Sequence, residues 1–274
     1  MENAAPVLSK KENILRIVLW GVLEAFAIAS LICMVIDGNV MKVLMSIFTM
    51  LLLALPFTAS KLFHFEMNTV FFIFCELYAI GPMLGHVYNL YYHTTWWDDV
   101  LHTAGGVVFA IFGVYLAQFV SKDKEPSILM KAIFALCFSM AISVAWEFVE
   151  YGCDQIFGTD MQNDTVVSFI HSYLLGGEMA QTGNIDGITE VIINGQPLGV
   201  GGYLDIGLHD SMRDMLVETL GAVVFTGIYL IDKDKHPIIR STKVFAKEKY
   251  LLVFLLNFFC VFRFSLESDR IILS

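Results

Sequence analysis

The chain has 274 residues, 57% of them hydrophobic and 16% charged, with a mean hydropathy of +0.67. Soluble domains carry roughly a quarter charged residues, so this is no ordinary water-soluble globule, and its apolar content is too high for a disordered chain. A formal net charge of −10 argues against a nucleic-acid binder, because phosphate recognition needs a basic patch.

Six apolar stretches follow in chain order, at about 14–36, 40–60, 69–91, 99–120, 128–151 and 210–231. Each is near the ~20 residues that a bilayer-spanning helix needs. The first is too long for a cleavable secretory signal, and no small-residue cleavage site follows it, so it is expected to stay as an anchor. A seventh run, 250–264 (YLLVFLLNFFCVFRF), is short for a span and is expected to be interfacial or re-entrant. The expected fold class is all-α: a polytopic transmembrane helical bundle of about six spans. Residues 1–231 would form a single transmembrane domain and 232–274 a basic cytoplasmic tail.

Lys and Arg favour the cytoplasmic side of a membrane. They sit in the N-terminal tail (Lys10, Lys11, Arg16), the second connection (Lys61), the fourth (Lys122, Lys124, Lys131) and the tail after the sixth span (Lys233, Lys235, Arg240, Lys243, Lys247, Lys249). The connections between them are nearly bare. Residues 152–209 hold no Lys or Arg and seven acids. The pattern predicts both termini inside and 152–209 as a 58-residue extracytoplasmic cap. Within it, Asn194-Gly195 between β-prone residues predicts one hairpin. Residues 164–175 (DTVVSFIHSYLL) read as a short surface helix.

The five cysteines (Cys33, Cys75, Cys137, Cys153, Cys260) are scattered, and no CxxC predicts a disulfide or zinc framework. There is no GxSxG elbow, P-loop, HExxH or dinucleotide fingerprint.

Ionisable groups in a bilayer cost about 2.5–3.5 kcal/mol each on insertion scales and tend to be paired and functional. Here they concentrate at the outer ends of three consecutive spans. The fourth span opens Trp96-Trp97-Asp98-Asp99-Val100-Leu101-His102, in which either acid shares a helical face with His102. The fifth closes Trp146-Glu147-Phe148-Val149-Glu150-Tyr151, with Asp154 continuing the stripe. The sixth opens His209-Asp210-Ser211-Met212-Arg213-Asp214, and Asp210, Asp214 and Glu218 repeat along one face. Gly105-Gly106 and Gly221 would let these helices approach closely. Carboxylates gathered with one imidazole suit a divalent cation of unknown identity. Against this stand capping roles for Asp98 and Asp210 and a structural salt-bridge network through Arg213. His86 and His93 lie near the same edge, either joining the site or simply facing the surface. Glu24 and Glu76 sit nearer mid-membrane, as protonated hydrogen-bonding groups or as steps of a transport path.

Three segments carry a resemblance: Asp98–Gly106, Ala145–Tyr151 and Gly202–Leu216 running on to Ala222. In order, they resemble the acid–His opening, W-E-x-x-E helix end and D-x-x-x-D segment of the YjdF-like bacterial inner-membrane proteins, and more loosely the VanZ-like membrane proteins. The resemblance covers about 98–222. It implies a multi-pass protein of the bacterial plasma (inner) membrane in which the three segments form one unit, and it supplies no substrate.

The reading that results is an outward-facing metal pocket with Asp99, His102, Glu147, Glu150, Asp210 and Asp214 as ligands. Glu150 would double as general base and Arg213 would bind a substrate phosphate. The partners would be the lipid bilayer and a lipid or envelope-precursor substrate. The rivals are a cation or small-solute transporter and a non-catalytic envelope factor.

Overall fold

The computed structural model describes residues 9–63, 65–121, 125–235, 238 and 243–244. Helix α1 (Lys10–Ile36) is followed by α2 (Val40–Phe63), strand β1 (Phe65–Glu66), α3 (Thr69–His86), one-turn α4 (Leu90–His93), α5 (Trp97–Val120) and α6 (Ile128–Phe157). Six short strands make the cap: β2 (Thr165–Val167), β3 (Phe169–Ser172), β4 (Gly183–Asp186), β5 (Ile192–Ile193), β6 (Gln196–Pro197) and β7 (Tyr203–Asp205). The chain continues through α7 (Leu208–Asp232) and β8 (Lys243–Val244). Six of the helices are long and apolar enough to cross a membrane, which makes this a polytopic helical membrane protein.

Local chemistry sets the helix starts. Ser9 and Glu12 form a reciprocal capping box on α1, in which the Ser9 hydroxyl accepts from the Glu12 N–H and the Glu12 carboxylate from the Ser9 N–H. The Asn68 side chain caps α3 by accepting from the Val70 and Phe71 N–H groups, and Ser127 caps α6 by accepting from the Met130 N–H. Helix α3 ends at His86, short of the expected 91, and the chain then turns through Asn89 at φ 60°. The helix is continuous through Pro82, so no break exposes its backbone at mid-membrane. Helix α6 runs beyond the expected 151 to Phe157, where Gly158 adopts the left-handed conformation that closes it.

The helices pack as two groups joined by α3. Helices α1, α2 and α3 pack together, as do α5, α6 and α7, and α3 lies against α5. The main core draws Phe71 and Phe72 from α3, Ile111 and Val114 from α5, and Phe225 and Tyr229 from α7. Large apolar side chains such as Val22, Leu51 and Leu220 face outward, as a lipid-facing surface requires.

Contacts at the two ends fix which connections share a side. Arg16 donates to the Met67 carbonyl and the Thr69 hydroxyl, and Lys131, fully buried, binds Glu125 at 2.6 Å and Asp234 at 3.0 Å. Strand β1 pairs with β8. The start of α1, the α2–α3 and α5–α6 connections and the end of α7 therefore lie at one end of the bundle, and the cap at the other. The apolar run 250–264 lies outside the described residues.

The cap corrects one expectation. Residues 164–175 are not a helix: β2 pairs antiparallel with β7, β3 with β4, and a 3-10 turn follows at Tyr173–Leu175. The expected hairpin is β5–β6, with Asn194 at φ 52° and Gly195 at φ 80° in its turn.

Candidate metal centre beneath the cap

Helices α5 and α7 touch backbone to backbone. A Cβ on Gly106 would overlap the Glu218 carbonyl oxygen and lie 2.9 Å from the Ala222 nitrogen, and one on Gly221 would overlap the Thr103 carbonyl oxygen. The Ser139 hydroxyl of α6 donates to the Gly106 carbonyl at 3.1 Å. These contacts bring the polar ends of three helices together one turn nearer the cap.

At their centre is the His102 ring. Its Nε2 lies 3.6 Å from Asp98 Oδ1 and 3.4 Å from Asp214 Oδ2, and its Nδ1 lies 3.6 Å from Glu218 Oε2. These separations exceed an ordinary hydrogen bond of about 2.7–3.2 Å, so the imidazole is surrounded by acids without being bonded tightly to any. Glu147 and Glu150 enter from α6, and one oxygen of each lies within 4.8 Å of the other and of Asp214. Ligand atoms of Asp98, His102 and Asp214 form a second group of the same size. Glu147, Glu150, Asp214 and Glu218 are all buried.

Burial leaves these groups short of partners. Trp146 donates from Nε1 to Glu150 Oε1 at 2.8 Å, but Glu150 Oε2, Asp214 Oδ2 and Glu218 Oε1 have no hydrogen-bond partner. Neither oxygen of Glu147 has one, although Ser211 lies beside it. A buried polar atom left so costs about 1–3 kcal/mol, and more when charged. A cation sharing these oxygens would offset that cost. Opposed ligands at ~2.1 Å from an ion stand ~4.2 Å apart, and calcium-sized ions allow about 5 Å, so the 4.8 Å grouping fits with shifts of a few tenths of an ångström.

Several sequence expectations change here. His102 groups with Asp98, not Asp99, which instead accepts from Arg213 at 2.6 Å. Asp98 is not a cap, because Trp96 takes that position in α5. Asp210 lies outside both groups, where its carboxylate accepts the Asn163 N–H at 2.8 Å and holds the cap to α7. Asp154 leaves the acidic stripe to organise the cap's first turn, accepting from the Thr159 hydroxyl and the N–H groups of Met161 and Gln162. Glu147 and Glu150 are not at a helix end, since α6 continues for about two more turns past Glu150. His86 packs edge-on against Tyr91 at 4.8 Å and His93 is exposed; neither is in a group. The four described cysteines are free.

Two neighbours had no sequence signal. Tyr91 comes from the α3–α5 connection, and burial together with the charges of Asp98 and Glu150 pushes its phenol well above the usual range. The Tyr78 hydroxyl lies against Gly105 and within the field of Glu218. Neither tyrosine stands at a helical spacing from an acid that would mark it.

Fold and site together define a multi-pass helical membrane protein with a buried carboxylate–histidine cluster. The chain matches the family model described as a predicted membrane protein (DUF2238) over residues 18–235, and it belongs to that family. All three polar segments fall inside the match. No curated protein and no solved structure matches the chain. The looser likeness to VanZ-like proteins finds no support in these matches.

Proposed function

We propose that this protein binds a divalent metal ion through Asp98, His102, Asp214, Glu147 and Glu150. We further propose that it uses the ion for hydrolysis or group transfer on a lipid or envelope precursor. The observation that carries the reading is Glu147: a side chain 5% exposed, with both oxygens unpartnered, directed at two further buried acids. A bound ion would supply Lewis-acid polarisation of the bond to be broken. Glu150 Oε2 takes the proton of the attacking water and passes it to the leaving group, while Trp146 fixes the other oxygen. Arg213 lies at the exposed rim, where its guanidinium can meet a substrate phosphate alongside Asp99. The distribution of Lys and Arg supports a cytoplasmic position for the ends opposite the cap. The YjdF-like resemblance of residues 98–222 supports the bacterial plasma membrane.

Metal binding to the folded state stabilises it by about 2.7 kcal/mol when the free ion is at a hundred times its dissociation constant. Detergent-purified protein is therefore expected to melt at a lower temperature after chelation and to recover with Mn²⁺ or Zn²⁺. A melting temperature indifferent to chelator and to both ions, with no metal by elemental analysis, overturns the reading.

Cation passage is a second reading, and one observation favours it. Glu76 is fully buried at mid-span in α3 with both oxygens unpartnered, and Glu24 of α1 is its charged neighbour. Transport predicts uptake of Mn²⁺ into proteoliposomes that is lost in Glu76→Gln. A sealed vesicle that takes up nothing removes it.

A further inference from the structure

The two ligand groups overlap in one residue. Asp98, His102 and Asp214 form one and Glu147, Glu150 and Asp214 the other, so a single buried carboxylate belongs to both. Asp214 is 2% exposed and stands on α7 between the α5 and α6 contributions. Two oxygens on one carboxylate suffice to serve both groups. Carboxylate-bridged ions in two-metal sites stand about 3.5–4 Å apart, a separation that one shared carboxylate can span.

Charge argues in the same direction. Five carboxylates (Asp98, Glu147, Glu150, Asp214 and Glu218) crowd around one imidazole. The nearest guanidinium, Arg213, is held by Asp99 instead. An ion in each group would offset this acidic crowding on both sides of Asp214, where a single ion would serve one side. Glu218 faces Nδ1 of the ring whose Nε2 faces Asp98 and Asp214. That is how an outer carboxylate orients a metal-bound imidazole. It leaves the Nε2 side for the first ion and the two α6 glutamates for the second.

Building on the metal reading above, we infer that the cluster is a two-ion centre in which Asp214 bridges one divalent cation held with Asp98 and His102 to another held by Glu147 and Glu150.

The test is the stoichiometry and magnetic coupling of Mn²⁺ in the purified full-length protein. Equilibrium dialysis is expected to give two tightly held Mn²⁺ per chain. Electron paramagnetic resonance is expected to show an exchange-coupled pair in place of the hyperfine-resolved signal of isolated Mn²⁺. Asp98→Asn and Glu147→Gln should each halve the bound Mn²⁺ and restore the isolated-ion signal, because each empties a different group. One Mn²⁺ per chain with an isolated signal in the wild type overturns the two-ion centre and leaves the single-ion reading standing. No bound Mn²⁺ overturns both. If either variant fails to fold, the wild-type count and coupling still decide the matter.

Discussion

Gly106→Val is expected to destabilise the protein and to abolish metal binding in the same step. The reason is the surface that Gly106 meets. Its hydrogen occupies the place where a Cβ would run into the Glu218 carbonyl and the Ala222 nitrogen of α7. These are backbone atoms of a helix that is itself fixed by Gly221 against Thr103. No rotamer change can clear them, so the helices must separate. Overpacking of this kind costs about 1–3 kcal/mol for small insertions and more where nothing yields. Gly106→Ala is expected at the top of that range and Gly106→Val beyond it. His102 sits about one turn from the contact, so a shift of the axes widens the group that α5 shares with α7 and displaces Asp214, the member common to both groups. Gly227→Ala is the internal control. It lies on the partner helix α7 with nothing within 4 Å of an added Cβ and should be neutral or stabilising by up to about 1 kcal/mol. Thermal unfolding of the three variants, with and without Mn²⁺, checks this. A Gly106→Ala protein that melts and binds like the wild type would mean that the helices do not approach this closely.

Asp214→Asn is expected to move stability in opposite directions with and without metal. The substitution keeps the shape of a buried side chain and removes the carboxylate common to both groups. In chelator, one of five crowded acids becomes an amide that cannot ionise, and the melting temperature should rise. In excess Mn²⁺ that advantage reverses. Loss of an outer-shell partner alone typically weakens metal sites about 10–100-fold, and loss of a shared ligand should exceed 100-fold. The sign in chelator is decisive. A drop in melting temperature there would make Asp214 the counter-ion of a protonated His102, in a network that only braces the bundle. Differential scanning fluorimetry in the two buffers reads out both signs.

The span count was legible because each segment carries its own signal, a run of apolar residues long enough to cross a bilayer. The Asn194-Gly195 turn was legible for the same reason, since the positive φ values that a tight hairpin requires are written in two adjacent residues. Residues 165–172 were not. Their strands exist because partners at 183–186 and 203–205 come back to meet them, and no local pattern announces a partner so far along the chain. The choice between Asp98 and Asp99 was not legible for a different reason. Spacings of three and four both place an acid on the His102 face, and only the crossing of α5 with α7 decides which carboxylate turns inward. Arg213 then claims the other. Gly105, Gly106 and Gly221 could be picked out as points of close approach because small residues in apolar helices have few other uses. What they brought near, Tyr78 included, depended on packing alone.

The pairing of β2 with β7 has a consequence for how this protein can diverge. Those strands clasp the two ends of the cap together immediately outside α6 and α7, so everything between Ser168 and Gly202 is strung from a closed ring. Closing a longer ring costs only about 0.6 kcal/mol for each doubling of its length. Lengthening, trimming or exchanging that stretch would leave the spacing of the two helices untouched. The outer face can thus drift under selection for whatever it meets, while the helix ends beneath it stay in register.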